Sequence, residues 1–147
     1  MSSILECDGV FQVPVPDGWT VTGESGRSYD LSHESEEVAV NISVYRRAAM
    51  GEDIEELLRR FAATVGAPDS SLRVVVTDND RSQTRAFVRF TAGDVDWLAA
   101  FLFLGQAAVL ATSNCPVGDI SAFAAGEQVV ASLGPVDKKR GFLRRRS

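Results

Sequence analysis

The chain has 147 residues, of which 45% are hydrophobic and 24% are charged, and its formal net charge is -5. This length and composition fit one globular domain and exclude a mainly disordered chain. Residues 1–137 hold nine bases and all 20 acids, a net charge of -11, whereas residues 138–147 hold six bases. Because an acidic body repels nucleic acid and anionic membranes, contact with either is expected only through the basic end of the chain.

The basic end is predicted to be a flexible tail, residues 138–147, that follows a single domain over residues 1–137. Its bases flank Phe142 and Leu143, and this combination of basic and apolar side chains could bind an anionic surface. A solvated tail, or one docked on its own domain, is the simpler interpretation. The six bases are Lys138, Lys139, Arg140, Arg144, Arg145 and Arg146.

The start of the chain gives no sign of a secretory signal, because it contains Glu6 and lacks both a basic start and a long apolar stretch. We therefore expect a cytoplasmic location. The two cysteines, Cys7 and Cys115, are too few for a disulfide framework. We predict that both are buried free thiols.

The first strands are predicted as a hairpin of residues 4–7 and 10–13, because Asp8-Gly9 is a preferred type I′ turn sequence. Pro14 and Pro16 have no N–H to donate to a neighbouring strand. The segment after the hairpin should therefore leave the sheet or run along its edge.

Three strands are predicted next, and the last of them alternates most clearly. Within it, aliphatic side chains take every second position, which places them on one face of the strand. The strands cover residues 19–21, 28–33 and 38–45; the aliphatic face is Val38, Val40, Ile42 and Val44, and the other face includes Asn41, Ser43 and Tyr45.

A helix is predicted over residues 53–65, because apolar side chains recur at intervals of three and four residues. Asp53 followed by Glu56 is typical of a capping box, and Gly66 fits the left-handed position after a helix. The predicted buried stripe is Ile54, Leu57, Leu58, Phe61 and Val65.

A second hairpin is predicted from residues 72–77 and 84–91. Its second strand has one apolar face and one mixed face that carries two arginines. The apolar face is Ala86, Val88 and Phe90, and the mixed face is Arg85, Phe87, Arg89 and Thr91.

The most apolar stretch is predicted as two strands, residues 95–104 and 107–113, joined by a type II′ turn at Gly105-Gln106. A membrane-spanning helix is excluded, because the apolar run is shorter than the required length of about 20 residues and contains this turn. The first strand is apolar on both sides, which predicts a place at the centre of a sheet. Its two sides are Val95, Trp97, Phe101 and Phe103, and Leu98, Leu102 and Leu104.

A second helix is predicted over residues 120–133, with Asp119 near its start as a cap. The order of strands, helix, four strands and helix predicts an α+β fold with an antiparallel sheet of about six to eight strands and two main helices. The predicted buried stripe of the second helix is Ile120, Phe123, Val130 and Leu133.

One predicted sheet face mixes aromatic, basic and apolar side chains. Three or four large apolar side chains on it need cover, since each forgoes about 1.5–3 kcal/mol of burial in water. The second helix, the proline-rich segment, a second subunit or a ligand could provide this cover. The candidate partner-binding residues are Tyr45, Arg85, Phe87, Arg89 and Trp97.

The sequence has no catalytic or metal-binding signature. His33 is its only histidine, and no nucleophile motif accompanies it. The acidic turn of Glu34, Glu36 and Glu37 is more typical of a solvated surface than of a metal site. We therefore expect no catalytic residue, no metal and no cofactor.

The segment Phe11-x-Val13-Pro14-x-Pro16-x-Gly18-Trp19, together with the later strands, the Trp97 hairpin and a C-terminal helix with Phe123, resembles the PsbP-like domains. That group includes Mog-type Ran-binding proteins, the lipoprotein DcrB and the Eag chaperones. The resemblance covers about residues 4–133 and implies an α-β-α sandwich with a non-enzymatic, protein-binding role. The chain lacks the lipoprotein signal of DcrB and the transit peptide of PsbP, so neither location carries over.

The leading hypothesis is a cytoplasmic protein-interaction or chaperone-like domain that uses the mixed sheet face to bind a protein partner or to form a homodimer. The alternative is a small-molecule-binding or enzymatic α+β cup with a pocket near Trp97. In either case, no transmembrane segment is expected.

Overall fold

The computed structural model describes residues 3–46, 53–67, 72–80 and 83–136. These residues form two helices and ten strands, in a sheet of seven and a sheet of three. The fold is therefore α+β, as predicted. The strands are β1 Ser3–Cys7, β2 Phe11–Val15, β3 Trp19–Ser25, β4 Ser28–His33, β5 Ala39–Arg46, β6 Val75–Asp80, β7 Gln83–Ala92, β8 Val95–Leu104, β9 Ala107–Pro116 and β10 Gly134–Pro135, and the helices are α1 Ile54–Thr64 and α2 Ile120–Ala131.

β1 and β2 form the predicted N-terminal hairpin with the predicted turn. Asp8 and Gly9 have φ angles of 56° and 68°, both positive as a type I′ turn requires. The Val10 N–H donates to the Cys7 carbonyl at 3.3 Å and closes the turn. β10 pairs with the other side of β2, where the Val136 N–H donates to the Val10 carbonyl at 2.9 Å. The hairpin therefore belongs to the small sheet of three strands.

Pro14 lies inside β2, opposite Ile4 of β1. The ladder between β2 and β10 involves only Phe11 and Gln12, so Pro14 lies beyond its end. On that side the strand is an edge, which is where a residue without an N–H is tolerated.

The larger sheet has the strand order β3-β4-β5-β9-β8-β7-β6, and all neighbouring strands are antiparallel. β9 is its middle strand and β8 lies beside it, which confirms the predicted central position of the apolar hairpin. In the β8–β9 turn, Gly105 has a positive φ of 58° and Gln106 does not. This is the predicted type II′ geometry.

The two faces of the larger sheet are covered by different elements. α1 packs on β7 and β8, and α2 packs together with the small sheet on the opposite face. Both sides of β8 are thus shielded by the chain itself, as its composition requires. The core under α1 includes Ala86, Val88, Ala99, Phe101 and Phe103, and the core under α2 includes Val40, Ile42, Val44, Leu98, Leu102 and Val109.

The ends of the helices match the prediction in part. Gly66 follows α1 with a φ of 94°, as predicted, but the Asp53 side chain makes no capping hydrogen bond. The Asp119 carboxylate caps α2 by accepting from the Ala122 N–H at 3.1 Å. In the described ranges, no helix has the length and apolar character needed to cross a bilayer.

The prediction that Ile120 belongs to the buried stripe of α2 is wrong, because this side chain is 84% exposed. α2 packs on the sheet through Ala122, Gly126 and Val129, which are spaced four and three residues apart. Ile120 precedes Ala122 by two residues, about 200° around a helix of 3.6 residues per turn. It therefore points away from the core.

Candidate functional site

The five candidate partner-binding residues do not share one sheet face, so the predicted common face is wrong, and their role in binding a partner stays a prediction. The prediction combined one side of β5 with the arginine-bearing side of β7, but β9 and β8 lie between these strands and their register decides which sides share a face. Across the ladders, Tyr45 pairs with Ala108, Ala108 with Phe103, and Phe103 with Thr84. Paired residues of neighbouring strands lie on the same face, so Tyr45 shares a face with Thr84 and not with Arg85. The face under α1 carries Tyr45 and Trp97, and the face under α2 carries Arg85, Phe87 and Arg89.

Arg85 is held by a contact within the domain. Its Nη1 donates to the Leu133 carbonyl at 2.7 Å, just beyond the end of α2. Burial lowers the pKa of the guanidinium, and a cation at this end of a helix also interacts favourably with the helix dipole. Arg85 therefore ties α2 to β7.

Trp97 belongs to an aromatic cluster between α1 and the sheet. The centroid of its ring lies 5.6 Å from that of Phe61, edge to face, and 6.3 Å from that of Phe90, at an interplanar angle of 12°. Such arrangements stabilise aromatic pairs beyond the effect of buried area. Trp97 thus helps to hold α1 on the sheet.

Tyr45 and Phe87 are both exposed, but they lie on opposite faces of the larger sheet. Tyr45 borders a cleft of about 510 Å³ that is also lined by Arg27 and Arg46. Phe87 lies opposite Val75 of the edge strand β6. Phe87 shares a sheet face with Arg85 and Arg89, whereas Tyr45 lies on the other face.

Arg89 lines a cleft of about 400 Å³ between the start of α2 and the β7–β8 hairpin, which we name the α2 cleft. The Arg89 guanidinium lies over the Phe123 ring, 4.3 Å from its centroid. Of the five predicted residues, Arg89 and Trp97 both border this cleft, but their side chains lie on opposite faces of the larger sheet. The lining includes Arg89, Asp96, Trp97, Ile120, Phe123 and Glu127.

The acids around the α2 cleft differ in their hydrogen bonds. Asp96 accepts from the Thr91 hydroxyl at 2.6 Å and from the Gly118 N–H at 3.1 Å. Asp119 is engaged as the cap of α2. By contrast, neither Arg89 nor Glu127 forms an ion pair with any residue in the described ranges. These two charges are the ones that a ligand could meet.

The outward side of α2 is unusually apolar for a helix that faces water. The 12 residues of α2 contain one charged side chain, Glu127, whereas exposed helices normally present several. Ile120 is 84% exposed, and Val117, just before the helix, is 50% exposed. Sequence reasoning missed Ile120, because the sequence does not show that the side of α2 with Ala122 is the buried one. Exposed apolar side chains that lie close together in the chain, as Val117 and Ile120 do, are typical of interaction surfaces.

The residues considered for catalysis are engaged or buried. His33 Nδ1 accepts hydrogen bonds from the Ser35 and Glu36 N–H groups, both at 3.1 Å, and its ring packs edge to face on Trp19. Cys7 and Cys115 are buried free thiols, as predicted, and burial raises the pKa of each. Within the described ranges, no group of three or more His, Cys, Asp or Glu side chains could hold a metal ion.

The predicted basic tail, with Lys138, Lys139, Arg140, Arg144, Arg145 and Arg146, lies outside the described residues. Its proposed contact with an anionic surface stays a prediction.

Comparison with known proteins gives a fold and no family. No model of a known protein family matches the chain, and no curated protein matches it. A crystal structure of a protein from Bacteroides thetaiotaomicron VPI-5482 is similar, with a TM-score of 0.50 and 14% sequence identity. The match covers 88% of this chain and 46% of that protein, so the chain spans just under half of its length. At this identity the similarity concerns the fold alone.

Proposed function

We propose that this protein is a non-enzymatic protein-binding domain and that the α2 cleft is its binding site. The observation that carries the proposal is the 84% exposure of Ile120 at a cleft that Phe123 also lines. A large aliphatic side chain left in water forgoes about 1.5–3 kcal/mol of burial free energy, which a partner would recover. Because the outward side of α2 has few charges, covering it also costs little desolvation.

A chaperone-like role in the cytoplasm and an α-β-α sandwich of the PsbP-like type are part of this proposal. The placement of α1 and α2 on opposite faces of an antiparallel sheet supports the sandwich. The hydrogen bonds at His33 and the burial of both thiols favour binding over catalysis.

A small-molecule-binding role is the second candidate, and the size of the α2 cleft favours it. Its volume of about 400 Å³ lies within the range of roughly 300–1,000 Å³ that is typical of ligand pockets, and Trp97 lines it. The two roles differ in what they require of Ile120. A peptide needs the exposed Ile120 side chain as a contact, whereas a small molecule inside the cleft depends mainly on the partly buried Phe123.

Selection of peptides from a phage-displayed random library on the immobilised protein tests the proposal. We expect the enriched peptides to bind in solution and Ile120→Asp to weaken binding at least about tenfold, because it places a charge within the apolar contact. Thermal unfolding of the variant should match that of the wild type, since Ile120 lies outside the core.

Ile4→Asp is the matched control. Ile4 is 50% exposed on β1 and does not line the α2 cleft, so its substitution should leave binding unchanged. Peptide binding that survives Ile120→Asp, or that Ile4→Asp weakens equally, would exclude the α2 cleft as the site. A co-purifying metabolite found by native mass spectrometry, with binding indifferent to Ile120→Asp, would support the second candidate instead.

A further inference from the structure

We propose that the α2 cleft recognises a peptide segment that combines an apolar side chain with a single carboxylate close to it in the sequence, from Asp or Glu. This inference rests on the proposed function, since it names the chemistry of the partner for the same site. The apolar side chain would pack on Ile120 and Phe123, and the carboxylate would pair with Arg89.

Arg89 is positioned for this role by its neighbour on α2. It is exposed and supplies the only cation among the described residues that line the cleft. The Phe123 ring, 4.3 Å away, holds the guanidinium in place, and a guanidinium has five N–H donors available for a carboxylate. An anion that binds there lies directly beside an apolar contact.

Arg85 shows how an engaged arginine on the same face differs. Its donor is 2.7 Å from the Leu133 carbonyl, and it is partly withdrawn from water. Arg89, four residues along β7, makes no ion pair with a described acid. Of these two arginines, Arg89 is therefore the one that can meet a carboxylate from outside.

The acids of the cleft determine where the ligand carboxylate can lie. Asp96 and Asp119 accept backbone and hydroxyl hydrogen bonds, which stabilise their charges in place. Glu127 follows Phe123 by four residues, about one helical turn, and repels an anion beside it. The carboxylate should therefore lie next to Arg89, with a neutral or basic side chain near Glu127.

The negative charge of the whole domain disfavours a ligand with more than one acid. Residues 1–137 have a net charge of -11, so a run of acids would gain one ion pair and be repelled by the surrounding surface. Repulsion between exposed charges extends over about 8 Å at physiological salt. An isolated carboxylate in an apolar context is therefore favoured over an acidic stretch.

A panel of acetylated and amidated, fluorescein-labelled octapeptides tests the inference on the whole protein. All members share a central leucine and carry aspartate, asparagine or lysine at one of the few positions before or after it, and one member carries consecutive aspartates. The Kd of each is measured by fluorescence anisotropy. We expect the best aspartate peptide to bind about threefold to tenfold more tightly than its asparagine counterpart, and the consecutive aspartates to bring no further gain.

Variants of the two free charges provide the decisive comparison. Arg89→Gln should abolish the difference between the aspartate and asparagine peptides, and Arg89→Glu should make the lysine peptide the tightest. Glu127→Gln should strengthen aspartate binding by removing a like charge. Thermal unfolding of each variant verifies that the fold is retained.

The outcomes separate this inference from the proposed function. If the peptides bind through Ile120 but Arg89→Gln leaves the aspartate preference unchanged, the inference is overturned and the proposed function stands. If no peptide binds, whatever its charge, or if binding is unaffected by Ile120→Asp, both are overturned.

Discussion

Gly126 of α2 lies directly against Ser113 of β9, with no space between them for a side chain. A Cβ added at Gly126 would overlap the Ser113 hydroxyl and come within 3.0 Å of the Val38 Cγ2. Ser113 is buried in the middle strand of the larger sheet, so moving it aside would disturb the packing around it. This close approach fixes the position of α2, and with it the wall of the α2 cleft.

Gly126→Ala should lower the free energy of unfolding by about 1–2 kcal/mol, as measured by urea denaturation. Overpacking at Ser113 outweighs the gain of about 1 kcal/mol that alanine brings to a helix interior. Adding Ser113→Ala should recover part of the loss, because it removes the overlapping oxygen. Gly134→Ala is the control, since a Cβ there meets no described atom within 4 Å. A Gly126→Ala variant as stable as the wild type would contradict the close packing.

The raised pKa of the Cys7 thiol predicts that the protein loses stability at high pH. Burial, with a smaller contribution from Glu24, raises its pKa from 9.0 to about 12. The unfolded chain releases this proton near pH 9.0, whereas the folded protein holds it until about pH 12. The free energy of unfolding should therefore fall as the pH rises through this window, and below it the thiol contributes no pH dependence.

Denaturant unfolding of the wild type and Cys7→Ala, from about pH 8 to about pH 10, measures this contribution. The loss of stability with pH should be smaller in the variant, whose side chain cannot ionise. Parallel curves for the two proteins would show that the thiol does not titrate differently in the folded and unfolded states.

The local elements could be predicted from the sequence because their causes are local. A positive φ at Gly9, Gly66 and Gly105 depends on the residue and its immediate neighbours, and all three turns have the predicted geometry. The alternation of residues 38–45 likewise identifies the buried side of β5 without knowledge of its neighbours.

The binding surface could not be predicted, because it depends on strand order and register. Alternation defines the two sides of each strand, but only the ladder decides which sides combine into one face. β9 and β8 separate β5 from β7, and their register places Tyr45 and Arg85 on different faces of the sheet. Similarly, the apolar composition of α2 does not show which of its sides meets β9, so the exposure of Ile120 could not be predicted.

Arg85 and Arg89 should respond differently to substitution, although both lie on the same face of β7. Arg85→Gln removes a charged hydrogen bond to the Leu133 carbonyl and should lower the free energy of unfolding by about 1.5–2 kcal/mol. Arg89→Gln removes an exposed cation–π contact and should cost at most about 1 kcal/mol. Guanidinium chloride unfolding of the wild type and both variants tests whether Arg85→Gln causes the larger loss of stability. An equal or larger loss for Arg89→Gln would contradict the structural role of Arg85.

Phe61→Ala should loosen α1 from the sheet, because Phe61 contacts both Trp97 and Phe90. The expected loss in the free energy of unfolding is about 2–3 kcal/mol, below the value for a fully buried ring since Phe61 is half-buried. Trp97 emission should shift to longer wavelength, and a Trp19→Phe background isolates this signal. Glu56→Ala, on the exposed side of α1, is the control. A stability loss with unchanged Trp97 emission would mean that Ile54 and Leu58, rather than the aromatic cluster, hold α1 in place.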